Sequence, residues 1–260
     1  MHCVYKVRKS FYWTRHPCGC YRESIQFVAL PDSRMSSTLL VINPNSLTGV
    51  THSIAATANV QFRDAPVRLT YATLDGAPPG IATQRDADRA AVLVADAIER
   101  NLQGTDAADA FVLACYSDPG LAAAREITRR PVIGIGQAAL GAATALGERV
   151  GVVAITRGSI ARHWRAYRAY GLAQHIAGER AVDLSVAESG DETRAVPRIV
   201  DTARALIERD GADVIVLGCA GMAALRERIE AAVGVPVVEP CMTAIALATN
   251  VLKGNSVVLR

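Results

Sequence analysis

A seven-residue stretch occurs twice in this chain. Asp109-Ala-Phe-Val-Leu-Ala-Cys115 returns as Asp213-Val-Ile-Val-Leu-Gly-Cys219, 104 residues further on. Each copy opens on an aspartate, runs through a short apolar segment and stops on a cysteine. Each is followed by turn residues (Tyr116-Ser117-Asp118-Pro119-Gly120 and Ala220-Gly221-Met222), a helical pattern and a Pro-Val pair, Pro131-Val132 and Pro236-Val237. A short unbroken apolar run bounded by turn residues reads as a strand buried on both faces. A chain that repeats strand, thiol and helix at this spacing is expected to fold as two related halves.

The rest of the body fits that frame. Leu39–Ile42, Val67–Thr73, Val132–Ile135, Arg149–Thr156, Leu184–Ala187 and Val237–Cys241 read as further strands. Between them lie helical patterns over Thr48–Ala58, a stretch capped by Asp86 or Asp88 and ending near Gln103, Gln137–Ala145, Ser159–Tyr170 with Gly171 as its C-terminal stop, and Met242–Leu252. Asp191–Arg209 is a long helix with Pro197 expected near its start. Alternating strands and helices predict right-handed crossovers and parallel sheets. The expected fold class is α/β: two pseudo-twofold-related parallel-sheet halves, with an active site in the cleft between them. The first half is residues 36–135 plus 238–260 and the second is 136–237.

Composition narrows the function. No run of about 18 apolar residues exists, so no helical membrane span is expected. Residues 1–34 hold six basic and two acidic groups, a net of +4 within a total of +3, so residues 35–260 carry −1 and give no case for nucleic acid. The leader also holds Cys3, Cys18 and Cys20 and lacks the apolar core of a secretory signal. Residues 1–34 are expected to be an upstream extension that packs poorly, with Met35 as the natural start. Cys18-Gly-Cys20 has no partner pair, so no metal is expected. Without a secretory signal the chain is expected in a reducing cytoplasm, where Cys115, Cys219 and Cys241 stay free thiols. Cys241 has no counterpart in the repeat and reads as structural. His163 reads as a helix residue with a structural hydrogen bond, and His52 and His175 are isolated.

In open α/β sheets ligands bind beyond the carboxyl ends of the strands. Asn43, Cys115, Thr156 and Cys219 all sit there, so two facing halves would bring them to one cleft. Helix N-termini after the cysteines favour thiolates. Gly218 and Gly221 leave room for a ligand to approach the backbone. Two thiols on opposite sides of one carbon can invert it: one removes a proton and the other returns one to the opposite face. The intervening negative charge would be held by backbone N–H groups of Tyr116, Ser117 and Asp118, and of Ala220, Gly221 and Met222. That chemistry needs no cofactor, and the chain has no GxGxxG, P-loop or zinc spacing.

The motifs Ile42-Asn43-Pro44-Asn45-Ser46, Ala114-Cys115 with Asp118-Pro119-Gly120-Leu121, Pro131-Val132-Ile133-Gly134-Ile135, Arg162-His163 and Gly218-Cys219-Ala220-Gly221-Met222 together resemble the Asp/Glu/hydantoin racemase superfamily, in its hydantoin (and allantoin) racemase branch. The resemblance covers residues 39–250. It implies a cofactor-independent racemase of a small molecule, with Cys115 and Cys219 as the acid/base pair, Asn43 touching substrate, and a homo-oligomeric assembly. The chain departs from that branch at Tyr116-Ser117, Gln137 and Glu239-Pro240-Cys241, where the branch tends to carry Phe-Gly, Glu and Asp-Gly-Val. Racemisation of a 5-substituted hydantoin or allantoin is the leading expectation. The alternatives are an Asp/Glu-type racemase, a decarboxylase or cis-trans isomerase of the same superfamily, or a non-catalytic two-lobed ligand sensor.

Overall fold

The structure is a computed structural model that describes residues 7–15, 21–29 and 37–254. It divides into two units, Met1–Ser36 and Ser37–Arg260. In the first, β1 (Val7–Arg15) and β2 (Tyr21–Ala29) pair as an antiparallel hairpin. Cys3, Cys18, Cys20 and Met35 lie outside the described residues, as do the expectations placed on them.

The second unit holds two four-stranded sheets, and every strand pairing in them is parallel. In the first half β3 (Ser37–Asn43), β4 (Val67–Thr73), β5 (Ala110–Leu113) and β6 (Val132–Gly134) are arranged β4-β3-β5-β6. In the second, β7 (Val150–Ala154), β8 (Ile176–Ala181), β9 (Val214–Gly218) and β10 (Val237–Val238) are arranged β8-β7-β9-β10. Counted within each half, the order is the same: second, first, third, fourth.

The duplicated heptapeptide is the third strand of each half, and its leading aspartate ties it to the first. Asp109 N donates to Thr38 O at 2.7 Å while its carboxylate takes Thr38 N–H at 2.8 Å. Asp213 N donates to Arg149 O at 3.0 Å, and its carboxylate takes the N–H groups of Glu148 and Arg149. The register follows from these bonds, with Leu39 opposite Ala110 and Val150 opposite Val214. A strand pinned at its first residue delivers its last residue to a set height.

Side chains alternate across both sheets as the pleat requires. In β5, Ala110 and Val112 face α1 (Thr48–Gln61) and α8 (Pro240–Leu252), while Phe111 and Leu113 face α2 (Gln84–Gln103) and α3 (Leu121–Ile127). In β9, Ile215 and Leu217 pack against α6 (Glu192–Asp210) and α7 (Arg226–Val233). Val214 and Val216 pack against α4 (Ile135–Ala143) and α5 (Arg157–Ala169). The two helices that follow a fourth strand therefore change sides: α4 leaves the first sheet to cover the second, and α8 leaves the second to cover the first. They also pack against each other.

Three sequence expectations are corrected. Leu184–Ala187 is not a strand; β8 lies at Ile176–Ala181, whose Gly178, Glu179 and Arg180 hide its strand character from any hydropathy pattern. α2 is capped by Thr83, with Asp86 at its third position closing a capping box, so Asp86 is not itself the cap. α6 begins at Glu192, with Asp191 accepting the N–H groups of Thr193 and Arg194, and it carries Pro197 inside. Capping at Asp191 extends the helix a turn ahead of the proline.

Phe111 has no exposed surface and sits at the centre of the β5–α2–α3 layer. Phe111→Ala should cost about 3–5 kcal/mol, read from urea unfolding midpoints at constant slope. A loss below about 1 kcal/mol would mean that this layer is loosely packed.

Candidate active site

Each thiol stands just past the end of its third strand, and the two turns that carry them are built alike. The amide two residues on points at each sulfur, Ser117 N–H at Cys115 and Gly221 N–H at Cys219. The amide three residues on closes the turn onto the cysteine carbonyl, Asp118 N to Cys115 O at 2.9 Å and Met222 N to Cys219 O at 3.1 Å. The second bond withdraws the Asp118 and Met222 amides from the expected oxyanion donors, leaving those of Tyr116 and Ala220.

Both sulfur-bearing residues line one cavity of about 30 Å³ between the halves. Tyr116 and Ser117 line it from the first half, and Ala220 and Gly221 from the second. Gly218 and Gly221 line it too, but close packing demands them as well. A Cβ on Gly218 would lie 2.7 Å from Val153 O, and one on Gly221 would run into Ser189 Oγ.

Three residues singled out from the sequence are not among the lining residues. Asn43 is buried, and its amide nitrogen donates to Asn45 Oδ1, Leu47 O and Thr51 Oγ1 at 3.0–3.1 Å. It thereby folds the β3–α1 loop so that Asn45, two residues on, reaches the cavity. Asp118 has a positive φ of 46°. Its buried carboxylate accepts Gly136 N–H, Gln137 N–H and the Tyr170 hydroxyl at 2.7–2.9 Å. Burial still pushes its pKa up to about 6 against those three bonds. Asp118 thus locks the Cys115 turn to the start of α4, where a Cβ on Gly136 would run into Tyr116 O. Thr156 precedes α5, and its buried hydroxyl has no partner among the described residues; its neighbours Ile155 and Ser159 line the cavity instead.

A buried polar chain backs the wall beside Cys115. Ser117 Oγ lies 3.1 Å from His163 Nε2 and accepts Arg162 Nε–H at 3.1 Å. His163 Nδ1 lies 2.6 Å from Glu179 Oε1, both side chains essentially without exposed surface. The remaining guanidinium nitrogens of Arg162 hold the carbonyls of Ile81 and Ala82. Tyr116 packs edge-on to the His163 ring, and its hydroxyl meets that of Tyr167 at 3.3 Å. Of this chain, Ser117, His163 and Tyr116 line the cavity. His163 is therefore both hydrogen-bonded and facing the site. The strand residue Glu179 carried no sequence signal, because nothing local marks a carboxylate whose partners are remote.

Among the described residues, the cavity lining contains no carboxylate, ammonium or guanidinium group, and its one imidazole is that of His163. In the cavity, burial is the main cause that pushes the Cys115 thiol up to about 12, and a charge on Cys219 would push it further; Ser117 N–H and the nearby Arg162 pull the other way. Cys219 is also raised by burial, opposed by Gly221 N–H and by Ser189, whose Oγ lies 3.6 Å from the sulfur. Close behind, Glu239 accepts the Cys241 and Met242 amides at the start of α8, and burial raises it to about 7. Cys241 is wholly buried and does not line the cavity. Two burial-raised thiols that repel each other's charge can together hold one thiolate and one thiol far more readily than two thiolates. Such a pair can offer one base and one acid to a group held in the space between them.

A family model described as Asp/Glu/hydantoin racemase matches residues 39–248. A hydantoin racemase from Rhizobium meliloti is 33% identical, over 82% of this chain and 87% of its own. Among solved structures, allantoin racemase from Klebsiella pneumoniae superimposes with a TM-score of 0.77 at 31% identity, covering 84% of this chain and 89% of that one. Allantoin racemase from Pseudomonas fluorescens gives 0.77 at 28% identity, over 84% and 92%.

Alkylation needs the thiolate. With its pKa near 12, Cys115 should react with iodoacetamide about tenfold faster per pH unit from roughly pH 7 to 10, without levelling off. Peptide mass spectrometry resolves its rate from those of Cys219 and Cys241. A plateau below about pH 9 would mean that the sulfur is already ionised in the folded protein.

Proposed function

This chain belongs to the Asp/Glu/hydantoin racemase family, and from that membership we propose that it inverts the stereocentre of a hydantoin-type ring, a 5-substituted hydantoin or allantoin, by proton transfer between Cys115 and Cys219. It is a racemase. The observation that carries the finer reading is that the two thiols, in matched turns from the two halves, line the same cavity.

The steps balance without a third reactant. Cys115 as thiolate takes the proton from the ring carbon, and the C–H electron pair moves into the adjacent carbonyl to give an enolate. The thiol of Cys219 then delivers its proton to the opposite face, leaving Cys115 as thiol and Cys219 as thiolate. The other enantiomer follows the reverse course. A thiolate whose pKa has been raised by burial is the stronger base, which suits removal of a carbon-bound proton. In this route the Tyr116 and Ala220 amides share the enolate charge, with Ser117 and Asn45 as side-chain contacts. No metal or organic cofactor enters this route.

Among the described residues the lining holds no carboxylate, ammonium or guanidinium group, which favours the ring over an amino acid. A free amino acid brings a carboxylate and an ammonium group, and burying either without a partner carries a large desolvation penalty. A hydantoin carries amides and carbonyls, which backbone amides and hydroxyls satisfy. We place the protein in the cytoplasm as a homo-oligomer; among the described residues no helix is long and apolar enough to cross a membrane.

Cys115→Ser and Cys219→Ser should each lower racemisation by at least about 10²–10⁴-fold, the contribution of a general acid or base. In heavy water each variant should still exchange the ring-carbon proton, from one enantiomer only, and the two variants should act on opposite enantiomers. Polarimetry and proton NMR read the two processes separately. Racemisation at the normal rate by either variant excludes the two-thiol mechanism.

A further inference from the structure

We infer that Ser117, His163 and Glu179 form a nucleophilic triad that hydrolyses a small uncharged acyl ester in the thiol cavity, an activity separate from proton exchange at Cys115 and Cys219.

The proton-transfer route leaves His163 and Glu179 without a task, although both are costly to bury. His163 comes from α5 and Glu179 from β8, in the second half, while Ser117 belongs to the turn after β5 in the first. The fold thus assembles the three across the cleft. Ser117 Oγ lies 3.1 Å from His163 Nε2, and His163 Nδ1 lies 2.6 Å from Glu179 Oε1. A carboxylate only accepts, so Nδ1 carries the ring proton and Nε2 keeps a lone pair. Ser117 Oγ accepts Arg162 Nε–H at 3.1 Å and turns its own hydrogen toward Nε2. Its second lone pair stays open for attack. Hydroxyl, imidazole acceptor and orienting carboxylate, in that order, is the arrangement that activates a serine.

The surroundings suit the reaction. Ser117 and His163 both line the cavity, so nucleophile and base face the space a substrate carbonyl would enter. The Glu179 side chain has no exposed surface, and its Oε2 has no hydrogen-bond partner among the described residues. An anion so poorly solvated gains most when the ring beside it becomes imidazolium, the state that follows loss of the serine proton. Tyr116 and Ala220, whose amides the cysteine turns do not use, line the same cavity and would hold the oxyanion. Burial raises both Cys115 and Cys219, so the competing thiolate is scarce at neutral pH. A space of about 30 Å³ restricts the acyl group to a short one.

The only co-reactant is water. Ser117 Oγ forms a bond to the ester carbon while His163 Nε2 takes the hydroxyl proton, and the carbonyl electron pair moves onto oxygen. The bond to the leaving alkoxide then breaks, and that oxygen takes the proton from His163. Water attacks the acyl-serine as His163 removes its proton. Cleavage of the Oγ–carbon bond releases the acid, and Ser117 recovers its proton from His163.

The full chain is tested with p-nitrophenyl acetate, following release of p-nitrophenolate. Hydrolysis should exceed the buffer rate, and phenylmethanesulfonyl fluoride should stop it by sulfonylating Ser117, located by peptide mass spectrometry. Ser117→Ala and His163→Gln should each lower kcat by at least about 10²-fold. Glu179 does not line the cavity and is a positioning residue. Glu179→Gln should lower kcat at least about tenfold with KM within about twofold, where loosened packing would raise KM as well. Labelling of the unaltered chain keeps the result independent of whether the buried variants fold. Hydrolysis no faster than buffer, a sulfonyl group found only on Cys115 or Cys219, or an undiminished rate in Ser117→Ala overturns the triad. None of these outcomes touches exchange of the ring-carbon proton, so the triad and the racemase reading fail separately.

Discussion

The aspartate that opens each central strand is the constraint on which the rest depends. Asp109 and Asp213 each use a backbone N–H and a carboxylate to lock the third strand of a half to its first. From that anchor the parallel register runs to the far edge of the sheet, where the strand gives way to a cysteine. The two stretches are equally long, so each cysteine lies six residues beyond its anchoring aspartate. The following turns then repeat the same two hydrogen bonds, amide to sulfur and amide to carbonyl. Equivalent anchors make equivalent turns.

The surroundings of the two sulfurs are less alike than their turns. Cys115 is backed by Ser117, Arg162, His163 and Glu179, a chain of groups that hydrogen-bond one another in place of water. Cys219 meets a single hydroxyl, Ser189, with the Glu239 carboxylate further behind it. Arg162 favours a charge on Cys115 while Asp118 and Cys219 oppose it, and Glu239 opposes a charge on Cys219. The carboxylates and the guanidinium stand behind the cavity wall, and of this polar chain Tyr116, Ser117 and His163 face the space itself. Buried charges are tolerated here because each is paired or multiply bonded.

Much of this could be read from residue order. The repeat of strand, thiol and helix, the parallel α/β class and the pairing of Cys115 with Cys219 in one cavity follow from local patterns that the fold leaves intact. Six of the nine residues singled out do meet at the cavity: the two cysteines, Tyr116, Ser117, Ala220 and Gly221. Each of them is one of the two cysteines or lies within two positions of one, just past a strand end, where chain direction fixes placement. The reading loosened where a side chain can spend its hydrogen bonds on the protein. Asn43, Asp118 and Thr156 have the composition of ligand contacts, yet the first two are committed to holding turns. Asn45 and Glu179 were not legible, because their roles arise from neighbours remote in sequence. β8 was misplaced for a related reason: its Glu179 is stable in a buried strand only because His163 lies across from it.

The exchange of α4 and α8 between the sheets also bears on how the protein is made. Leu39, Val41 and Val112 of the first sheet are covered by Ile245 and its neighbours on α8. A ribosome extends a chain at about 5–20 residues per second, so roughly 100 residues separate β6 from this helix and the wait is on the order of 5–20 seconds. During that interval the sheet face that α1 and α8 share is covered by α1 alone, and the part beneath α8 stands open to the cell. Nascent-chain quality control, rather than the finished enzyme, is where a weakened α8 would be noticed first.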